Sequence, residues 1–228
     1  MLSQKELAAK IKPQTFGAMP KPFVVTDSCR EIYQDGNRIV MMAQSMADVM
    51  CIERCAKACK NLKGDVAEAG VCYGSTARLI MRWFEGTNKT IHLFDTFDVM
   101  PDADSVHDWP EMWHPQKDLS VDKVTNLLED YCEQGLVKIH KGLFSDTFPT
   151  IRGMRFCFVH VDCDLYEGAK DACEFFYPKM VKGGIMMFHD YDVPAFPGIQ
   201  RAVEEYFIYK PDLRITNRYG GHHIVIKK

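Results

Sequence analysis

The chain has 228 residues, 46% hydrophobic and 26% charged, enough to bury one core of ordinary size and too few for two full domains. Twenty-eight Lys and Arg against 31 Asp and Glu give a formal charge of -3, so the positive excess with which general nucleic-acid binders neutralise phosphate is missing. The opening residues, MLSQKELAAKIK, put Lys5, Glu6 and Lys10 where a secretory leader needs an apolar run, and no stretch nears the roughly 20 apolar residues of a membrane span, so a cytoplasmic protein without nucleic-acid or membrane partners is expected.

Residues 1–37 carry Pro13, Pro20, Pro22, Gly17 and Gly36 between short polar pieces. They read as an arm with room for one short helix and no core of its own. From Arg38 to Asn61 apolar residues return at helical spacing (Ile39, Met42, Met46, Val49, Met50), which predicts a helix. We therefore divide a single domain, 1–228, into an N-terminal arm and helix (1–61) and a core (62–228). Cys51, Cys55 and Cys59 fall on that helix. At 1.5 Å per residue the outer two stand about 12 Å apart, too far to share one ion, so they read as buried reduced thiols in a packed stripe.

After Gly64 short apolar runs alternate with amphipathic segments. Strands are predicted at 65–69, 90–94, 137–140, 156–161 and 184–188, and helices at 75–84, 120–133, 166–180 and 198–209. Parallel strands need a long crossover and a helix supplies it, so the expected fold is α/β, a doubly wound, mostly parallel sheet. Two more segments, 213–216 and 222–226, flank Arg218-Tyr219-Gly220-Gly221 as a hairpin-like pair of antiparallel edge strands, making seven. The segment 98–118, with three prolines, Trp109 and Trp113, has no periodicity and is a candidate active-site lid.

Ligands of an open parallel sheet sit beyond the carboxyl ends of its strands, and four predicted strands end in chemically suggestive residues. The first leads through Glu68-Ala69-Gly70-Val71-Cys72-Tyr73-Gly74 into a helix. This Glu-x-Gly-x-x-x-Gly spacing is not the dinucleotide pattern, and its acid suits an ammonium group better than a pyrophosphate. The second ends at Asp95, where a carboxylate can accept both hydroxyls of a ribose. The fourth and fifth end in Val161-Asp162-Cys163-Asp164-Leu165-Tyr166 and His189-Asp190-Tyr191. If the two are neighbours, Asp162 and Asp190 stand side by side and need a cation, Mg2+ or Mn2+, to offset their repulsion. The alternative is that these acids are helix caps and solvated loop residues.

In this order the motifs resemble those of class I S-adenosylmethionine-dependent methyltransferases with their Rossmann-like sheet, and more closely the macrocin O-methyltransferase family, from about Pro22 to the end. The resemblance rests on Gly64 to Val71, Phe94-Asp95-Thr96-Phe97, Gly142-Leu143-Phe144-Ser145-Asp146-Thr147, Asp162-Cys163-Asp164-Leu165-Tyr166-Glu167 and His189-Asp190-Tyr191. It implies that Glu68, Gly70, Gly74 and Ser75 surround the methionine part of the cofactor, Asp95 and Thr96 the ribose, and Ser145 and Asp146 the adenine region. It further implies a divalent ion on Asp162 and Asp190, with Asp164 as general base. His189 stands where the family usually has an acid, and imidazole is a softer ligand, so it serves a metal, a proton transfer or only the packing. The implied reaction is methylation of a hydroxyl on a small sugar or other vicinal diol, such as part of a natural product, by a self-associating enzyme.

Two other readings compete. Asp162-x-Asp164 is also the form in which metal-dependent glycosyltransferases hold a nucleotide-sugar cation, and a nucleoside-binding subunit without catalysis would keep the same fold. His222 and His223 are taken as hairpin residues that Gly220 and Gly221 could bring toward a neighbouring subunit.

Overall fold

The computed structural model describes residues 23–25, 31–35, 38–42, 45–98, 100–109, 118–217 and 221–228. Three short strands, β1 (Phe23–Val25), β2 (Glu31–Asp35) and β3 (Arg38–Met42), pair antiparallel as a small separate sheet. The helix read from Arg38 is corrected here: it begins only at Met46. Ile39, Val40, Met41 and Met42 form a continuous apolar run that suits a strand as well as a helix, and the helix start is set by Ser45. That residue caps α1 (Met46–Cys59) in a reciprocal box, its Oγ accepting from the N–H of Asp48 (3.3 Å) while Asp48 accepts from the N–H of Ser45 (2.9 Å). The one short helix allowed in the arm is absent from its described residues, which are strands.

The core is a seven-stranded sheet in the order β6-β5-β4-β7-β8-β10-β9. Its strands are β4 (Asp65–Ala69), β5 (Ile91–Asp95), β6 (Val137–Lys141), β7 (Phe156–Val161), β8 (Met180–Phe188), β9 (Leu213–Asn217) and β10 (His222–Ile226). Only β10 runs against the rest. It is antiparallel to both β8 and β9, so β9, expected as antiparallel, lies parallel to the main direction at the edge. The helices are α2 (Ser75–Phe84), α3 (Val121–Leu127), α4 (Glu129–Glu133), α5 (Phe144–Thr147), α6 (Tyr166–Phe176) and α7 (Pro197–Phe207). The helix expected over 120–133 breaks at Leu128, and the one expected to reach 180 stops at Phe176 because Pro178 follows in a 3-10 turn.

A core lies on each face of the sheet. One joins α1 and α2 to the sheet through Ile52, Leu79, Phe84 and Phe158; the other joins α6 and α7 through Phe156, Phe176, Phe188 and Phe207. Cys51, Cys55 and Cys59 are buried in the first of these, and every cysteine among the described residues is a free thiol. The period of two along strands has a particular outcome on the α1 face. Val66 and Glu68 of β4, Phe158 and His160 of β7, Ile185 and Met187 of β8, and Ile224 and Ile226 of β10 belong to it. The same alternation carries His189 and His222 onto that face at the carboxyl end of the sheet.

Candidate active site

A cavity of about 760 Å3 opens at the carboxyl ends of β4, β5, β7 and β8. Its size is within the usual range for small-molecule sites. Gly70, Ser75, Asp95, Thr96, Ser145, Asp162, Asp164, His189 and Asp190, all singled out from the sequence, line it. Three others do not. Gly74 sits behind the turn as the N-cap of α2, against Val124; Asp146 is exposed on α5; and Glu68 is fully buried beneath the cavity floor.

The turn after β4 is held by backbone geometry. Gly70 has a φ of +88°, and a Cβ there would overlap the carbonyl oxygen of Asp162. Gly74, at +83°, directs the chain into α2. Asp95 organises this turn: its Oδ2 accepts from the N–H groups of Val71 (2.7 Å) and Cys72 (2.9 Å), and its Oδ1 from that of Phe97 (2.7 Å). Three backbone bonds are thus already made by the carboxylate expected to receive a ribose.

Glu68 does not face an ammonium group, as its sequence position suggested. It points into the α1 face, where its Oε1 is 3.0 Å from Nδ1 of His160 on the adjacent strand. Burial, with Asp162 and Asp95 adding repulsion, pushes its carboxyl well above the ordinary range. Burial also depresses His160 to about 4. Burial thus disfavours the charged form of both partners.

The sequence expectation that Asp162 and Asp190 meet holds, because β7 and β8 are neighbours. Between them stands His189. Its Nδ1 is 2.9 Å from Asp162 Oδ1 and 3.1 Å from Asp190 Oδ2, yet it is buried and makes a well-directed hydrogen bond to neither. Burial opposes a charge on His189, but Asp162, Asp190 and Asp48 outweigh it and hold the imidazole well above its ordinary value. Asp162 in turn is held well below the carboxylate range by His189, His160 and His222 despite its burial. These three ligand atoms lie within 4.8 Å of one another. In an octahedral ion with bonds of about 2.1 Å, adjacent ligands stand about 3.0 Å apart, so the donors fit a divalent cation in place of the proton.

Asp164 follows at the cavity wall with a φ of +63°. Burial and the carboxylates of Asp162 and Asp190 push its pKa well up. Cys72 (+51°), Asp118 (+59°) and Asp190 (+57°) also have left-handed backbones and also line the cavity. Non-glycine residues in that region are uncommon and concentrate at functional sites.

Part of the candidate lid is tied down. Asp108 is buried, its Oδ1 accepting from the N–H of Tyr166 at the start of α6 (3.0 Å), while His107 stacks on the Tyr166 ring at 4.1 Å. Met100, Pro101 and Asp102 line the cavity, and Trp109 is half exposed; Trp113 lies outside the described residues. Aspartates and glutamates border the cavity on several sides, and no Lys or Arg is among the described residues that line it.

Sequence reasoning missed Asp48, in the first turn of α1, and placed His222 and His223 correctly in the hairpin of β9 and β10 but not in their surroundings. Both histidines are buried within the chain rather than turned to a neighbour. His222 Nδ1 is 3.1 Å from Asp48 Oδ1, and His189 Nε2 is 4.0 Å from Asp48 Oδ2. The strand alternation that places His222 beside Ile224 and Ile226 was the available clue.

The family profile of macrocin-O-methyltransferase (TylF) matches residues 25–216. The chain belongs to the macrocin O-methyltransferase family. Within that family it is 31% identical over 169 residues to a mycinamicin III 3''-O-methyltransferase of Micromonospora griseorubida, covering 68% of this chain and 64% of that protein. It is 30% identical over 142 residues to a tetracenomycin rhamnosyl 4'-O-methyltransferase of Streptomyces olivaceus, covering 58% and 54%. The chain thus spans less than two thirds of either relative's length. Among solved structures, the O-methyltransferase NovP superposes with a TM-score of 0.69 at 25% identity, covering 82% of this chain and 83% of NovP. The calicheamicin methyltransferase CalS11 gives 0.65 at 20% identity with 79% of each covered, a likeness of fold.

Proposed function

We propose that this macrocin O-methyltransferase family member transfers a methyl group from S-adenosylmethionine to a hydroxyl of a sugar or other vicinal diol, with a divalent ion, Mg2+ or Mn2+, at Asp162 and Asp190. The observation that carries this reading is that the glycine turn, Asp164 and the Asp162–His189–Asp190 group open into one cavity. The sugar methyltransferases among its relatives support the acceptor class.

When bound, the cofactor supplies an activated methyl on sulfonium and the ion lowers the pKa of a coordinated hydroxyl. The chain does the rest. Gly70 and Gly74 let the backbone run close to the methionine portion, and Ser75 opens α2 there. Asp95, through its three backbone bonds, keeps that turn in shape, with Thr96 beside the ribose and Ser145 at the adenine end, while Asp146, exposed outside the cavity, takes no part. Asp162 and Asp190 are the oxygen ligands, and His189 is the third donor when its lone pair is on Nδ1. Asp164, a carboxylate on the cavity wall next to the ligand pair, takes the proton from the attacking hydroxyl. Residues 100–109, pinned through Asp108 to α6, help to exclude water from the acceptor side.

A lining of carboxylates, with no Lys or Arg among its described residues, favours a neutral or cationic acceptor over a phosphate-bearing one. The same feature disfavours the nucleotide-sugar glycosyltransferase reading, which the family membership displaces. The test is methyl transfer from labelled S-adenosylmethionine to a panel of free sugars, glycosides, catechols and nucleotide sugars, with and without chelator. Transfer to the uncharged diols, lost on chelation and restored by Mg2+ or Mn2+, is expected. Activity that survives complete chelation would remove the metal from the scheme, and failure to bind S-adenosylmethionine would overturn the whole proposal.

A further inference from the structure

Beneath the cavity, on the α1 face of the sheet, lies a polar cluster of which methyl transfer employs only His189, leaving Asp48 and His222 without a role. His222 is fully buried, and neither of its ring nitrogens has a hydrogen-bond partner. Asp48 is buried beside it, and its Oδ1, 3.1 Å from Nδ1 of His222, makes no well-directed hydrogen bond either. The third member is His189, whose Nε2 stands 4.0 Å from Asp48 Oδ2 and whose ring centre is 4.8 Å from that of His222. One ligand atom from each of the three lies within 4.8 Å of the other two.

Buried polar atoms are nearly always satisfied, and each orphan is costly. His222 Nε2 has no partner, and His222 Nδ1 and Asp48 Oδ1 face each other at 3.1 Å without a well-directed hydrogen bond; with His189 as a third donor beside them, the group has room in its bonding for an occupant. Two imidazoles and one carboxylate are a donor set for Zn2+ and neighbouring transition ions; Mg2+ prefers oxygen throughout. With tetrahedral bonds of about 2.0–2.1 Å, ligand atoms stand about 3.3–3.4 Å apart; His222 Nδ1 is 3.1 Å from Oδ1 of Asp48 and His189 Nε2 is 4.0 Å from its other oxygen, so the three donors close on one ion by small side-chain rotations.

We propose that Asp48, His189 and His222 form an interior site for a borderline divalent transition metal of the Zn2+ or Co2+ class, separate from the outer carboxylate site. His189 lines the cavity and supplies the way in. It also couples the two sites. A neutral imidazole has one lone pair, so an ion held at Nε2 leaves Nδ1 as an N–H facing Asp162 and Asp190, and the outer ion is then held by its two carboxylates alone. Asp48 is kept in place from the other side by the capping box, in which Ser45 donates through both its N–H (2.9 Å) and its hydroxyl (2.6 Å). The site does not depend on which acceptor is methylated, or on methyl transfer at all.

The test uses the full chain, stripped by chelator and reloaded with Zn2+ or Co2+ in excess Mg2+, which occupies the outer carboxylates. After gel filtration, elemental analysis is expected to find one transition ion per chain, and X-ray absorption at the zinc edge two imidazole ligands. His222→Gln and Asp48→Asn should each weaken retention at least tenfold, measured beside circular dichroism to confirm folding. Wild-type protein that retains no Zn2+ or Co2+, or a bound ion with fewer than two imidazoles, overturns the site even if both variants fail to fold. Retention unaffected by a folded His222→Gln does the same. Loss of Mg2+-dependent turnover with Zn2+ retention intact would count against the outer site and leave this one standing.

Discussion

The two sides of the cavity are built on different principles. On the β4–β5 side, backbone does the work: Gly70 and Gly74 adopt conformations that side chains resist, and Asp95 serves three main-chain N–H groups of the same turn region. On the β7–β8 side, the work falls to side-chain charge. The proton affinities of Asp162, Asp164 and His189 are shifted by the charges around them, with Asp190 acting on the latter two and Asp48 and His222 acting from behind. The first side should therefore suffer most from changes of shape, and the second from changes of charge.

That contrast can be broken most severely at Asp164. Asp164→Asn keeps the shape and removes the base, and turnover is expected to fall by about 10²–10⁴-fold with cofactor affinity within twofold of wild type. Calorimetric loss of cofactor binding in step with turnover would show that Asp164 shapes the site instead. Next comes Gly70→Ala, which alters no charge. The new Cβ meets the Asp162 carbonyl at a φ of +88°, and we expect a loss of more than about 2 kcal/mol in stability together with loss of cofactor binding. A variant that melts like the parent contradicts the backbone account of that side.

The smallest effect is expected at Glu68→Gln. Glutamine mimics the protonated acid, so at about pH 4.5 and below, where Glu68 is protonated in both states, stability should change by less than about 1 kcal/mol, and cofactor affinity should be unchanged. Its pH dependence sharpens the point. His160, His222 and His223 are depressed from 6.5 to about 4, so the stability they contribute is present above pH 6.5 and is lost as pH falls toward 4. Glu68, raised above its ordinary 4.5, acts oppositely: it takes up a proton on folding in the same window, and its contribution fades as pH rises. Removing it should therefore steepen the acid loss between pH 6.5 and 4.5 by up to about 1.4 kcal/mol per pH unit. Urea titrations across that range read the slope directly; an unchanged slope means Glu68 is ionised at neutral pH.

Much of this molecule is local and could be seen in the chain. All seven strands of the core announce themselves as apolar runs, and α2, α6 and α7 as amphipathic turns, because each pattern lies within one element. Arg38–Met42 misled because a short apolar run has no preference between periods, and only pairing with β2 decided it. Pro178 and Leu128 trimmed helices that amphipathicity alone would have prolonged.

At the site the division has the same cause. The order of glycines and acids after β4, β5, β7 and β8 was enough to place the cavity and most of its lining, since an open parallel sheet puts all those strand ends on one edge. Orientation was another matter. Glu68 follows the pleat into the α1 face and pairs with a histidine 92 positions away, while His222 arrives beside His189 because β10 runs back along β8. The sequence by itself determined the family, the sheet and which strand ends meet at one edge. Only the tertiary structure decided which side chains face the cavity and which lie under it, because that depends on strand register and on the helix packed behind, and both join residues far apart in the chain.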